Sequence, residues 1–182
     1  MQYNVAQLLR APTGTLRHHD VDELASEVQA LLDGDGIKVQ GPLQGAVTLM
    51  RITDGILVTG TLEISLELTC DRCLDAFDVS VQVELEEDFR PSIDIKSGAA
   101  LPPVGGEELE TLIDEYHILD LSEVVRQGIL LAAPMHPVCR ADCAGLCPQC
   151  GQNLNEGPCD CDVEALDPRW SQLQSLLSDI SQ

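Results

Sequence analysis

The chain has 182 residues, 44% of them apolar and only 3% aromatic, with a formal net charge of −21. That length and apolar content suit a folded chain of one domain plus a small appended module, and argue against a disordered one. The charge opposes direct attraction to a phosphate backbone, and the scarcity of aromatic rings opposes single-strand binding by base stacking.

The start, Met1 to Pro12, lacks the basic n-region and apolar run of a signal peptide, and no apolar run reaches membrane-span length. The chain is therefore expected to be soluble and cytoplasmic. Val5, Leu8 and Leu9 form a short apolar patch. Val21, Leu24, Val28, Leu31 and Leu32 recur at helical spacing and predict a helix from Asp20 or Asp22 to the break at Gly34 and Gly36. His18 and His19 lie in a polar stretch and are expected to be solvated.

From Ile37 to Phe89 the pattern is that of strands. Gly45 to Thr53 is rich in β-branched and apolar residues, and Asp54-Gly55 is a hairpin signal. Leu62, Ile64, Leu66 and Leu68 alternate with Glu63, Ser65, Glu67 and Thr69. Phe77, Val79, Val81, Val83 and Leu85 alternate with Asp78, Ser80, Gln82, Glu84 and Glu86. Period-two alternation of this kind predicts an antiparallel sheet with one wet face. Ser97 to Glu108 reads as a loop, and Tyr116 to Ile118 as a short strand. Asp120 to Glu123 resembles a capping box opening a helix from Leu121 to about Ala132. Asp167-Pro168 opens a last helix, with Trp170, Leu173, Leu176, Leu177 and Ile180 on one stripe.

Six of the eight cysteines fall between Cys139 and Cys161. In a reducing cytosol such a density points to metal ligation rather than to disulfides. Cys147-x2-Cys150-Gly151 reads as a zinc knuckle, because two thiolates three residues apart straddle a tight turn that glycine accommodates. Cys147, Cys150, Cys159 and Cys161 form the most economical local site. The remaining four, Cys70, Cys73, Cys139 and Cys143, complete a second four-thiolate set that joins the end of a strand to the C-terminal module, with His136 as a substitute ligand. Core thiols or a redox dithiol are the other readings of Cys70 and Cys73. The expected architecture is α+β: an antiparallel sheet body, barrel-like if its edges meet, with a few short helices over residues 1–135. A cysteine-rich zinc module and an amphipathic helix follow over 136–182.

Several stretches together resemble the YceD family, the large ribosomal RNA subunit accumulation proteins. They are Tyr3 to Leu8, Leu68 to Leu74, Leu119 to Leu131, Gly145 to Asn155, and Asp167 to Trp170. The resemblance implies a role in accumulation or processing of large-subunit ribosomal RNA and carries over no catalytic residue. The partner is then that RNA or a basic large-subunit ribosomal protein. Arg72, the basic side chain within Cys70-Asp71-Arg72-Cys73, is the candidate partner contact, and a salt bridge to Asp71 or Asp75 is its plain structural alternative. The competing class is an enzyme, either a thiol oxidoreductase or a metal-dependent nuclease. A catalytic zinc keeps an open coordination position, whereas a four-thiolate zinc is closed.

Overall fold

The computed structural model describes residues 1–95, 97–101 and 111–161. In chain order these form β1 (Gln2–Asn4), α1 (Ala6–Arg10), β2 (Leu16–Glu23), α2 (Ala25–Leu31), β3 (Lys38–Val39) and β4 (Leu43–Arg51). They continue as β5 (Ile56–Thr69), β6 (Ala76–Pro91), β7 (Leu112–Ile113), β8 (Ile118–Asp120) and α3 (Ser122–Ala132).

The alternating runs become the long strands of one sheet. Asp54-Gly55 turns β4 into β5, with the Ile52 N–H donating to the Gly55 carbonyl at 3.1 Å. β5 and β6 pair antiparallel from Ile56↔Phe89 to Thr69↔Ala76. The strand order is β2-β4-β5-β6-β7, and β3 pairs with β5 beyond the end of β4. Every pairing in this sheet is antiparallel except β6 with β7. Among the described residues the end strands β2 and β7 do not pair, so the sheet stays open and no barrel forms.

One face of the sheet is dry. Val47, Leu49, Val58, Leu62, Ile64, Leu66, Val81, Val83 and Leu85 point inward with Phe89. Leu8 and Leu9 of α1, Val28 of α2 and Val125 and Ile129 of α3 cover them in a single core cluster. Gly128 lets α3 lie close on β6, since a Cβ there would stand 2.6 Å from a Val83 methyl. Arg126 then ties α3 to the turn after α2, donating to both oxygens of Asp35 at 2.8 and 2.9 Å. The other face carries Glu63, Glu84 and Glu86, all exposed, as the alternation predicts.

Four local expectations shift. Asp20, Val21 and Asp22 lie in β2, and the helix begins only at Ala25. Val21 fits either period, and pairing with Gly45 of β4 decides for the strand. Leu24, assigned to the helical stripe, is 64% exposed. In that strand His18 is exposed and bonds the Thr48 hydroxyl at 2.9 Å, while His19 is half-buried against the Tyr3 ring. The short strand falls at Ile118–Asp120, because the Asp114 carboxylate gathers the N–H groups of Tyr116 and Ile118 into a turn. Before α3, Asp120 accepts the Ser122 N–H as expected, but Glu123 pairs with Arg126 instead of closing a capping box. Most of the 97–108 loop, and the helix opened by Asp167-Pro168 with its stripe, lie outside the described residues. Among the described residues no helix is long and apolar enough to cross a membrane.

Candidate metal centre

Two turns of the same design present the first sulfurs. At the end of β5, the Leu74 N–H donates to the Cys70 carbonyl at 2.9 Å, and the Cys70 N–H donates to the Asp75 carbonyl at 2.9 Å. In the C-terminal module, the Gly151 N–H donates to the Cys147 carbonyl at 2.9 Å, and the Cys147 N–H to the Gln152 carbonyl at 2.8 Å. The fifth residue of each turn has a left-handed backbone, φ 75° at Gly151 and φ 61° at Leu74. Glycine at 151 made the second knuckle recognisable, and leucine at 74 disguised the first.

Each knuckle meets a second pair of cysteines. Cys70, Cys73, Cys139 and Cys143 have their four sulfurs within 4.8 Å of one another, and so do Cys147, Cys150, Cys159 and Cys161. These are the two sets anticipated from the spacing. All eight thiols are free. Cys70 Sγ lies 3.9 Å from Cys143 Sγ, and Cys73 Sγ 3.7 Å from Cys139 Sγ. A disulfide would need a bond of about 2.0 Å. Four sulfurs about 2.3 Å from a tetrahedral zinc would stand about 3.8 Å apart. The spacing in the first cluster is that of the edges of such a tetrahedron. His136 is not part of either cluster; its ring sits 3.1 Å from Asp71.

Hydrogen bonds aimed at sulfur surround the clusters. The Cys139 N–H points at Cys70 Sγ, the Gln149 N–H at Cys147 Sγ and the Asn155 amide at Cys143 Sγ, each at 3.4 Å. The backbone N–H groups of Cys139, Cys73 and Arg72 outweigh burial and lower the Cys70 pKa to about 6. The backbone N–H groups of Cys150 and Gln149, with the Cys159 thiol, lower Cys147 to about 6. At Cys73 the Asp75 N–H pulls downward, but burial and the Cys70 thiol outweigh it and the pKa rises. Cys161 is pushed up to about 12 by the Cys150 sulfur and by burial. In the first cluster Cys70 and Cys143 are shifted toward the thiolate and Cys73 and Cys139 against it, and in the second Cys147 is shifted toward it and Cys159 and Cys161 against it, since like charges this close repel one another. A divalent cation reverses that balance and favours the ionised form of every ligand.

The two knuckles are joined to each other. The Leu146 N–H donates to the Arg72 carbonyl at 3.0 Å, and the Asn153 amide to the Asp75 carboxylate at 2.8 Å. The Arg72 guanidinium donates to the carbonyls of Cys143 at 3.1 Å and Ala141 at 3.4 Å. Among the described residues it makes no ion pair with Asp71 or Asp75, yet it stays exposed. Asn155 was missed as a functional residue. It bonds Cys143 Sγ, and its carbonyl oxygen accepts from the Ala144 N–H at 2.9 Å and from Arg140 at 2.6 Å. Its only signal in the sequence is a position five residues after Cys150.

Comparison with known proteins adds a family. Residues 58–177 match the family model described as "Large ribosomal RNA subunit accumulation protein YceD". An uncharacterised protein of Mycobacterium tuberculosis is 32% identical over 186 residues, which cover 97% of this chain and 81% of that one. A chloroplastic protein of Arabidopsis thaliana named "Large ribosomal RNA subunit accumulation protein YCED homolog 1" is 33% identical over 161 residues, 78% of this chain and 50% of that one. Its namesake in Zea mays is 27% identical over 162 residues, 75% of this chain and 55% of that one. No solved structure matches.

Proposed function

This chain belongs to the YceD family, and from that premise we propose that it is a non-enzymatic ribosome-biogenesis factor. It supports accumulation or processing of large-subunit ribosomal RNA, with structural zinc in its two cysteine clusters. The observation that carries the zinc reading is the 3.7 to 3.9 Å sulfur spacing in the first cluster, among eight thiols that form no disulfide. Cys70, Cys73, Cys139 and Cys143 would hold one ion and clamp the segment after α3 to the end of β5. Cys147, Cys150, Cys159 and Cys161 would hold the other. Four thiolates close a zinc site, leaving no position for a reacting water, and this favours a structural role over a nuclease. Sulfurs committed to ligation are likewise withdrawn from thiol exchange, which weighs against an oxidoreductase.

A net charge of −21 favours a basic large-subunit ribosomal protein over bare RNA as the direct partner, in the cytoplasm where such assembly occurs. Arg72, exposed between the knuckles, is the basic side chain we assign to a contact with the partner or its RNA. Deleting the gene tests the cellular role. Large-subunit ribosomal RNA is expected to fall relative to small-subunit RNA, most visibly at low temperature. An unchanged ratio, both there and at the growth optimum, overturns it.

A further inference from the structure

The wet face of the sheet is organised, and its organisation follows from the strand register. Asp20↔Ala46, Ala46↔Thr61 and Thr61↔Glu84 form one row across β2, β4, β5 and β6. His18↔Thr48, Thr48↔Thr59 and Thr59↔Glu86 form the next. Two small or neutral residues therefore lie between β2 and β6 in each row. The floor is Ala46, Thr48, Thr59 and Thr61. Asp20 ends the first row on one side and His18 the second, with Asp22 in the next row beside Gln44, Glu63 and Gln82; Glu84 and Glu86 stand along the other side, and Asp20, Asp22, Glu84 and Glu86 are all exposed. Two shallow depressions meet at Thr61 on this face. No Lys or Arg projects from these rows, and the three described helices lie against the opposite face.

We infer that this trough docks a Lys- or Arg-rich α-helix of a partner protein, an inference that rests on the basic-protein reading above. Three strand spacings of about 4.8 Å separate β2 from β6 by about 14 Å, and a helix with its side chains is about 10–12 Å across. Small floor residues let the helix axis approach, while its flanks face the two carboxylate walls. Wall carboxylates two residues apart along a strand are about 6.7 Å apart, and cations four residues apart on a helix about 6 Å. An added β-strand would not use this surface, because the backbone groups of β4 and β5 are already paired on both sides; strand addition needs an edge. Nucleic acid would face carboxylates on both walls without a cation between them.

The experiment uses the full chain with its metal. The probe is a fluorescent 20-residue alanine–lysine peptide that is helical, beside a glycine–serine–lysine peptide of equal charge and a single-stranded RNA. Neutralising the walls (Asp20→Asn, Asp22→Asn, Glu84→Gln, Glu86→Gln) is expected to weaken the helical peptide about tenfold. Neutralising four exposed acids elsewhere (Asp33→Asn, Asp54→Asn, Glu115→Gln, Glu156→Gln) is expected to change it by less than about twofold. Thr61→Trp, which fills the floor and keeps every charge, is expected to weaken it as well. Equal losses from both sets of four, equal affinity for the two peptides, retained binding by Thr61→Trp, or tighter binding of RNA than of peptide would each overturn the trough. These affinities are measured on purified protein, so an unchanged ribosomal RNA ratio in the deletion strain refutes the biogenesis role without touching them.

Discussion

The sheet body and the cysteine module are held together by different physics. The body sets two dozen buried side chains, almost all Leu, Val and Ile, into one continuous cluster from Val5 to Ile129. Between Pro137 and Cys161, by contrast, the buried side chains are two sulfurs, those of Cys143 and Cys147. The small cluster there joins Cys70, Cys73 and Cys143 with only Phe77, Val138 and Cys139 packed against it. Removing apolar area from water can hold the first region but not the second. The module is a scaffold of backbone turns and sulfur-directed hydrogen bonds, and on the proposed zinc reading its stability would come from the ions its cysteines hold. The shared motif at Cys70 and Cys147 shows that one turn design serves in both settings, once anchored to a strand and once not.

Metal removal should separate the two regions most sharply. A structural zinc contributes about 10–16 kcal/mol in small thiolate modules. Chelation, or Cys143→Ser together with Cys150→Ser, is therefore expected to abolish amide exchange protection across residues 139–161 while β4, β5 and β6 stay protected. Metal content by elemental analysis should fall from two ions per chain to none in the double variant, and to one in either single variant. Acid should act likewise, since protons compete with the metal for thiolates, so zinc is retained at neutral pH and released as pH falls. Full protection of the module in metal-free protein would break the contrast.

The reciprocal change should touch the body alone. Phe89 is fully buried where β6 faces the first residue of β5. Phe89→Ala is expected to destabilise the body by about 3–5 kcal/mol in denaturant unfolding. Zinc content in native buffer should not change. Loss of zinc with this variant would mean that the two regions fold as one unit.

The smallest effect sharpens the comparison between the knuckles. Leu74 is 62% exposed and carries the positive φ that Gly151 carries in the other turn. Relief of a left-handed leucine is offset in part by glycine's larger unfolded entropy, so Leu74→Gly is expected to stabilise by about 0.5–1 kcal/mol. Slower release of zinc to a chelator from the first cluster would report it. Faster release would indicate that the leucine side chain is itself needed there.

What the chain determines locally was legible without coordinates. Period-two alternation in Ile56 to Leu85 can bury one face only as a strand, and Asp54-Gly55 can turn only tightly, so β4, β5 and β6 were readable. The knuckle at Cys147 was readable because ligand spacing and Gly151 are neighbours in sequence. Counting eight cysteines suggested two sets of four. Other features depended on residues distant in sequence. Val21 satisfies a helical period and a strand period equally, and only β4 at its side selects the strand. Cys70 and Cys143 are 73 residues apart, and their approach to 3.9 Å is decided by where β5 ends and α3 delivers the chain. Leu74 adopts a backbone its side chain disfavours because Asp75 and Cys70 are held by partners beyond the turn. The trough, with acids on β2 and β6 flanking Ala46, Thr48, Thr59 and Thr61 of β4 and β5, is a property of register across four strands. Side-chain periodicity is written into each strand separately, but which strands lie side by side is settled only when the whole sheet buries its apolar face.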